Sequence, residues 1–284
     1  MATRFSPVWL VLIGILSVQL GAAIAKDLFD VISPTGMVWL RLVTSALVLG
    51  LIARPVLRGK TRDDWLVVIA FGVTLGVMNW AIYQSFARIP LGIAVTIEFV
   101  GPLALAVFGS RRVRDLVWVA LAAVGVLLLG LQPGDVNLPG VLFALLAGAA
   151  WAAYILLSAR TGNRWPGLSG LAVASLVATL LLSPLALTGA GATLFDPTIL
   201  AIGAAVGLLS SVIPYSCELT ALRSLRPAVF SILMSLEPAA AALAAMLVLG
   251  EFLTAFQWLA LTCVVVASVG ATRSGRVIAE PVPD

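Results

Sequence analysis

The chain has 284 residues, of which 61% are hydrophobic and 11% are charged, and it contains no histidine. A soluble domain carries about 25% charged residues, so this composition excludes an ordinary soluble protein. The formal net charge of +4 does not indicate a nucleic-acid partner, because the basic residues are scattered over short polar segments instead of forming one patch.

Ten apolar stretches, separated by short polar connectors, are long enough to cross a bilayer, which takes about 20 predominantly apolar residues. Their continuous apolar runs lack the alternation of membrane β-barrel strands, so each is predicted to be a helix. The predicted spans are, in order, Val8–Ala25, Pro34–Ala53, Trp65–Ala87, Pro90–Gly109, Leu116–Leu131, Gly140–Ala159, Gly167–Thr188, Thr198–Leu222, Pro227–Leu249 and Phe252–Thr272.

The first span has a second interpretation as a secretory signal. Arg4 precedes an apolar run that ends in Ala23-Ile24-Ala25, which has the pattern of a cleavage site. That interpretation suits a chain in which a soluble domain follows. Nine further apolar stretches follow here, so we expect the segment to remain as a span.

The distribution of basic residues predicts the orientation, because cytoplasmic loops collect Lys and Arg. With a cytoplasmic N-terminus, fourteen of the 17 basic residues fall inside, and only Lys26 and Arg88 fall outside. Both termini are therefore predicted to be cytoplasmic, which requires an even number of spans. The inside set is Arg4, Arg54, Arg58, Lys60, Arg62, Arg111, Arg112, Arg114, Arg160, Arg164, Arg223, Arg226, Arg273 and Arg276.

The chain contains a weak internal repeat. Asn79-Trp80 matches Pro214-Tyr215 at an offset of 135, and with one inserted residue Pro102 falls on Pro238. Each repeat holds five predicted spans, so the second enters the membrane inverted, a design typical of transporters with a midplane site between the halves. The predicted units are residues 7–131 and 140–272, followed by a short cytoplasmic tail, residues 273–284.

Small residues recur in the third and eighth spans. Gly72 and Gly76 lie in the third, and Gly203, Gly207 and Ser211 lie four residues apart in the eighth. Such spacing lets helix backbones approach each other. We therefore expect a pseudo-symmetric contact between these two spans.

Two glutamates lie near the middle of predicted spans, where ionisable groups are costly and usually functional. Glu98 is four residues before Pro102, and Glu237 directly precedes Pro238. Each proline leaves the carbonyl four residues earlier, at Glu98 and Met234, without its helical donor. Two carboxylates with two freed carbonyls suit an ammonium group or a proton.

Arg41 lies seven residues into the second span, and its fork of donors matches a carboxylate. Two interpretations are open: a structural ion pair with Glu98 or Glu237, or an anchor for a substrate carboxylate. Glu218, near the inner end of the eighth span, is a further candidate for proton coupling, although exposure at the interface also explains it.

Other polar and aromatic side chains are candidates for lining a cavity. Ordinary packing is the alternative for the tryptophan and the tyrosines. Glu251 is interpreted as a helix-end residue, and Cys217 and Cys263 as buried small side chains without a metal spacing. The candidates are Gln19, Asn79 with Tyr83, Trp151 with Tyr154, and Tyr215 with Glu218.

Four segments resemble the drug/metabolite transporter superfamily of EamA-type ten-span transporters, and within it the bacterial threonine/homoserine exporter group. The resemblance covers about Pro7 to Thr272, and its more specific parts are EFVGPLALAVF with SRR and SLEPAAA with LGE. The segments are Ser17–Phe29 (SVQLGAAIAKDLF), Gly76–Pro90 (GVMNWAIYQSFARIP), Leu91–Arg112 (LGIAVTIEFVGPLALAVFGSRR) and Ser235–Glu251 (SLEPAAAALAAMLVLGE).

The resemblance implies an all-α integral membrane protein with ten transmembrane helices in two inverted five-helix repeats around a central cavity. It also implies export of small neutral amino acids such as threonine or homoserine, driven by proton exchange. Glu98 and Glu237 occupy the matching acidic positions and Arg41 the matching buried basic position. The chain departs from an equal repeat, because the seventh span has no arginine opposite Arg41.

We therefore expect a bacterial inner-membrane exporter of small amino acids that works by alternating access, as a monomer or homodimer surrounded by membrane lipid. An exporter of other metabolites or of hydrophobic cations on the same fold is the alternative. An enzyme is disfavoured, because neither a nucleophile–base pair nor a metal cluster is recognisable. A passive channel lacks its rings of charge. No cofactor, metal or catalytic residue is predicted.

Overall fold

The computed structural model describes residues 7–110, 116–130, 136–222, 225 and 227–274, and every regular element in this part of the chain is helical. The α-helices are α1 Pro7–Asp27, α2 Pro34–Ala53, α3 Arg62–Phe86, α4 Leu91–Glu98, α5 Val100–Ser110, α6 Leu116–Gly130, α7 Leu138–Gly162, α8 Ser169–Ala190, α9 Pro197–Gly207, α10 Ile213–Leu222, α11 Pro227–Met234, α12 Glu237–Val248 and α13 Ala255–Ser274. A 3₁₀ turn, Gly191–Phe195, precedes α9, and a π-helical segment, Leu208–Val212, joins α9 to α10.

Seven helical segments in the described ranges are long and apolar enough to cross a membrane. They confirm the first, second, third, sixth, seventh, eighth and tenth predicted spans. Their ends agree within about three residues, except that the eighth segment ends at Tyr215 and α10 continues to the predicted end at Leu222. Shorter apolar helices occupy the fourth, fifth and ninth predicted spans: Leu91–Leu105, Leu116–Leu128 and Ile232–Val248. The chain is thus an all-helical, multi-pass membrane protein, and the count of ten stays a prediction.

Part of the evidence for orientation lies outside the described residues. This applies to the predicted tail beyond residue 274 and to seven basic residues of the predicted cytoplasmic set. They are Arg4, Arg111, Arg112, Arg114, Arg223, Arg226 and Arg276.

The fourth and ninth predicted spans are each broken near the middle. α4 ends at Glu98 and α5 begins at Val100, whereas α11 ends at Met234 and α12 begins at Glu237. A proline follows each break, Pro102 in α5 and Pro238 in α12, and a proline cannot donate to the preceding turn. Both candidate glutamates therefore lie at helix breaks.

The eighth predicted span changes helical type at its centre. In the π-helical segment the hydrogen bonds lengthen by one residue, so the Ile213 N–H bonds to the Leu208 carbonyl. The next donor along the chain would be Pro214, which has no N–H. The backbone of this segment therefore needs partners from other helices.

The helices pack in a layered bundle. α3 lies against α7 and α8, α2 against α8 and α9, and α6 against α13, while α1 packs on α10 and α12. The outer parts of the two broken spans meet, because a Cβ built on Gly92 of α4 would lie 2.9 Å from the Ala242 Cα of α12. The other halves of the same two spans are α5 and α11, and these two helices do not pack closely together among the described residues.

The small residues of the third and eighth spans do allow close packing, but the predicted contact between these two spans was wrong. A Cβ on Gly72 would meet Val177 of α8 at 2.6 Å. Gly203 and Gly207 instead face Leu40 and Thr44 of α2. The physical reason is that the surface left open by these small residues is filled by larger side chains of a third helix. Val177 of α8 fills it on α3, and Leu40 and Thr44 of α2 fill it on α9.

Side-chain contacts distinguish the two ends of the bundle. At one end, which we call the Lys26 end, the Lys26 ammonium donates to the Ile89 carbonyl at 2.9 Å. At the opposite end, the Asp64 end, Asp64 pairs with Arg164 at 3.1 Å, joining the start of α3 to the segment between α7 and α8. The predicted outer side of the membrane corresponds to the Lys26 end, and the predicted cytoplasmic side corresponds to the Asp64 end.

Candidate substrate and proton site

Arg41 of α2 is buried and fixed by two hydrogen bonds to the π-helical segment. Its Nε donates to the Ser211 hydroxyl at 3.2 Å and its Nη2 to the Ser210 carbonyl at 2.9 Å. The guanidinium also lies 5.7 Å from the centre of the Tyr83 ring of α3. The π-helical segment and α3 thus hold this side chain of α2 inside the bundle.

One partner of Arg41, the Ser210 carbonyl, is free because of Pro214. In an α-helix the Ser210 carbonyl would accept from residue 214, which here has no N–H. The Ser17 hydroxyl of α1 supplies a similar replacement to the neighbouring Leu209 carbonyl, at 2.7 Å. The π-helical segment is therefore bound by α1 and α2 through backbone oxygens that the helix itself leaves open.

Arg41 retains unused hydrogen-bond donors. In the described part of the chain its Nη1 group has no acceptor, and its guanidinium forms no ion pair with a carboxylate. A direct ion pair of Arg41 with Glu98 or Glu237 is therefore not formed in this conformation. The donors that remain match the bidentate geometry of a carboxylate.

Glu98 and Glu237 share an electrostatic environment with Arg41. The Glu98 carboxylate interacts electrostatically with Arg41 and with Glu237. Glu237 is buried and Glu98 half-buried, and neither carboxylate accepts a hydrogen bond from any described residue. The freed Glu98 carbonyl lies against α7, since a Cβ on Gly148 would lie 2.5 Å from this oxygen.

Three predicted polar residues are buried on α1 and α3. Gln19 is 4% exposed and lies two residues from Ser17 on α1. The Asn79 amide donates to the Leu75 carbonyl of its own helix at 2.9 Å, so this donor is engaged. The hydroxyl of the fully buried Tyr83 has no hydrogen-bond partner among the described residues. Tyr83 therefore carries an orphan polar atom beside Arg41.

The aromatic pair on α7 contacts two different elements. Trp151 stacks edge-to-face on Phe99, at the break between α4 and α5, with ring centres 5.4 Å apart. Tyr154 lies 5.0 Å from Phe71 of α3. Both rings thus make packing contacts, and Trp151 contacts Phe99, the residue adjacent to Glu98.

The remaining candidates lie on α10, beyond Pro214. Tyr215 and Glu218 are half-buried there, as is Cys217, which is a free thiol. Among the described residues no cluster of three or more metal-ligating side chains forms.

Several residues that position side chains at the candidate site or at the Lys26 end were not predicted from the sequence. Ser210 and Ser211 accept hydrogen bonds from Arg41. In the sequence, the feature that could have indicated them is a pair of serines followed three residues later by Pro214 within an apolar span. Glu251, interpreted only as a helix-end residue, forms an ion pair with Lys26. The opposite charges of Lys26 and Glu251, both predicted near the outer surface, were the signal for that pair.

Comparisons with known proteins give relatives along nearly the whole chain. The chain is 43% identical to the threonine/homoserine exporter RhtA of Salmonella typhimurium (strain LT2) over 282 residues, which cover 97% of this chain and 95% of the relative. It is 42% identical to the exporter of the same name from Escherichia coli K12 over 280 residues, with 96% and 95% covered. The uncharacterized transporter YwfM of Bacillus subtilis (strain 168) is 32% identical over 164 residues, with 56% and 55% covered.

Two further comparisons concern the family and the fold. A solved crystal structure superposes with a TM-score of 0.65 at 19% identity, covering 94% of this chain and 98% of that one, which is a likeness of fold alone. The model of the EamA-like transporter family matches residues 138–273. With full-length relatives above 40% identity that are named as exporters, the chain belongs to the EamA-like transporter family.

Proposed function

We propose that this protein exports threonine, homoserine or a related small neutral amino acid across the bacterial inner membrane, in exchange for protons. The observation that carries the proposal is the buried Arg41, which keeps unused donors near two unpaired carboxylates. The curated relatives named as threonine/homoserine exporters support the substrate class, because they align over nearly the full chain.

Helix packing supports a design of ten spans in two inverted repeats. Exchanging the first five predicted spans with the last five maps the packing of α3 on α7 onto that of α1 on α10. It likewise maps the packing of α3 on α8 onto that of α2 on α9, and both of these contacts use a stripe of small residues. The break at Glu98 and the break at Glu237 correspond in the same way.

The proposed orientation places the Lys26 end in the periplasm and the Asp64 end in the cytoplasm. The support is the predominance of Lys and Arg in the predicted cytoplasmic loops. Helix ends that the orientation puts on one side do meet: Asn137 at the start of α7 donates to the Arg88 carbonyl at 2.7 Å.

The chemistry follows from charge balance inside the bundle. When all three groups are ionised, Arg41, Glu98 and Glu237 leave one net negative charge in an apolar setting, which is costly. An amino acid brings a carboxylate for Arg41 and an ammonium for a glutamate. A proton neutralises the same glutamate, so the proton and the ammonium compete for one site. This competition yields exchange when the site opens alternately to each side.

The test is transport in inside-out vesicles with a defined proton gradient. Labelled threonine or homoserine is expected to accumulate in the vesicles when their interior is acidic, and to stop accumulating when the gradient is collapsed. Glu98→Gln and Glu237→Gln are expected to remove the response to the gradient, because Gln keeps the size and loses the charge.

Asp63→Asn is the matched control, since Asp63 is exposed at the start of α3 and away from the site. Its transport is expected to equal that of the parent. Accumulation of a hydrophobic cation without accumulation of any amino acid would overturn the proposed substrate. Accumulation of threonine that ignores the gradient in the parent would overturn proton exchange.

A further inference from the structure

We propose that Lys26, Glu251 and the N-terminus of α4 form an outer latch, which holds the periplasmic side of the transport path closed and must open for substrate release. This inference rests on the proposed function, because it assigns a step of alternating access. The latch joins helices from the two proposed repeats, since Lys26 lies in the last turn of α1 and Glu251 follows α12.

The position of Glu251 is set by Gly250. This glycine has a φ of +66°, in the left-handed region that favours glycine. The turn sends the chain back so that the Glu251 N–H bonds to the Ala245 carbonyl at 3.3 Å. The carboxylate is thereby brought over the first turn of α4 and beside the Lys26 ammonium.

Glu251 also replaces a missing helix cap. The N-cap residue of α4 is Pro90, which provides no side-chain hydrogen bond to the open N–H groups of the first turn. The Glu251 carboxylate accepts from the Leu91 N–H at 2.8 Å and lies at the positive end of the helix dipole. One carboxylate therefore fastens α12 to two helices of the other proposed repeat at once.

Lys26 completes the contact from the other side. Its ammonium pairs with Glu251 and donates to the Ile89 carbonyl, at the turn before α4. The two side chains are only 16% and 22% exposed, so the pair is shielded from solvent and from salt more than a surface pair is.

Helix packing differs between the two ends of the broken spans and is tighter at the Lys26 end. On the latch side of the two breaks, α4 and α12 approach until the Gly92 and Ala242 backbones nearly touch. On the far side, α5 and α11 are not a packed pair within the described ranges. The conformation is thus closed at the Lys26 end, and the latch is the polar contact that an outward opening has to break.

The experiment measures access from outside, independently of transport. A single cysteine at Ala245, which is 2% exposed on α12, is introduced in a variant with Cys217→Ser and Cys263→Ser. Intact cells are then treated with an impermeant thiol reagent. Little labelling is expected with the latch intact, and an increase of about tenfold is expected with Glu251→Gln, since removing the charge favours the outward-open state.

Lys26→Met tests the same contact from its other partner and is expected to give the same increase. Asp27→Asn is the matched control, because it removes an exposed charge next to Lys26 and leaves the pair intact; its labelling is expected to stay low. Unchanged labelling in both latch variants overturns the proposal, and so does an equal rise in Asp27→Asn. Increased labelling in a protein that transports no amino acid supports the latch and overturns the proposed function.

Discussion

The Arg41 guanidinium donates to the Ser210 carbonyl at 2.9 Å, and this carbonyl is open because Pro214, four residues later, has no N–H. A proline in one span therefore fixes the position of a charged side chain on another. The arrangement orients the guanidinium through a backbone oxygen and a serine hydroxyl, and no carboxylate of the described residues forms an ion pair with it. A substrate carboxylate is the complementary group.

Arg41→Lys is expected to weaken binding of amino acids, because lysine keeps the charge and loses the bidentate geometry. The loss of one charge-assisted hydrogen bond is worth about 2 kcal/mol, or roughly thirtyfold in affinity. Affinities of the purified parent and variant for threonine and for threonine amide measure the effect. The amide has no carboxylate and is expected to lose much less; an equal loss for acid and amide would show that Arg41 acts on structure alone.

Pro214→Ala is expected to restore an N–H that competes with Arg41 for the Ser210 carbonyl. The guanidinium then loses a fixed partner, and threonine affinity is expected to fall by about tenfold. Pro184→Ala is the matched control, since Pro184 lies exposed within α8. The measurement is binding of labelled threonine to both purified variants. Equal affinities in the two variants would contradict the role assigned to Pro214.

Sequence predicted the seven spans that the structure confirms, because length and polarity are local properties. It also placed Pro102 and Pro238 near Glu98 and Glu237, but it did not predict that the helices break there. Glu98 and Glu237 could be chosen as candidate site residues because ionisable groups inside a bilayer are costly and usually functional. The partners of Arg41 could not be predicted, because α2 and α9 are mostly apolar and their sequences do not show which of their faces pack together. The pair of Lys26 and Glu251 joins residues 225 positions apart in the chain, a contact that only the packing of α1 and α12 creates.

Gly148→Ala is expected to destabilise the fold by about 1–3 kcal/mol, as overpacking does elsewhere. Its Cβ would lie 2.5 Å from the Glu98 carbonyl, a backbone atom that cannot move aside like a side chain. Gly50→Ala is the control, because the space around Gly50 is open. Apparent Tm values in detergent are expected to fall for the first variant alone. An unchanged Tm for Gly148→Ala would mean that the break at Glu98 adjusts freely.

Cysteines placed at Asp30 and at Arg58 are expected to react from opposite sides of the membrane. Both positions are exposed, the first between α1 and α2 and the second between α2 and α3. The excess of Lys and Arg on the Arg58 side predicts that this side is cytoplasmic. In a background of Cys217→Ser and Cys263→Ser, an impermeant thiol reagent added to intact cells should label Asp30→Cys, whereas Arg58→Cys should react only after the cells are opened. Labelling of Arg58→Cys in intact cells would reverse the orientation and place the outer latch on the cytoplasmic side.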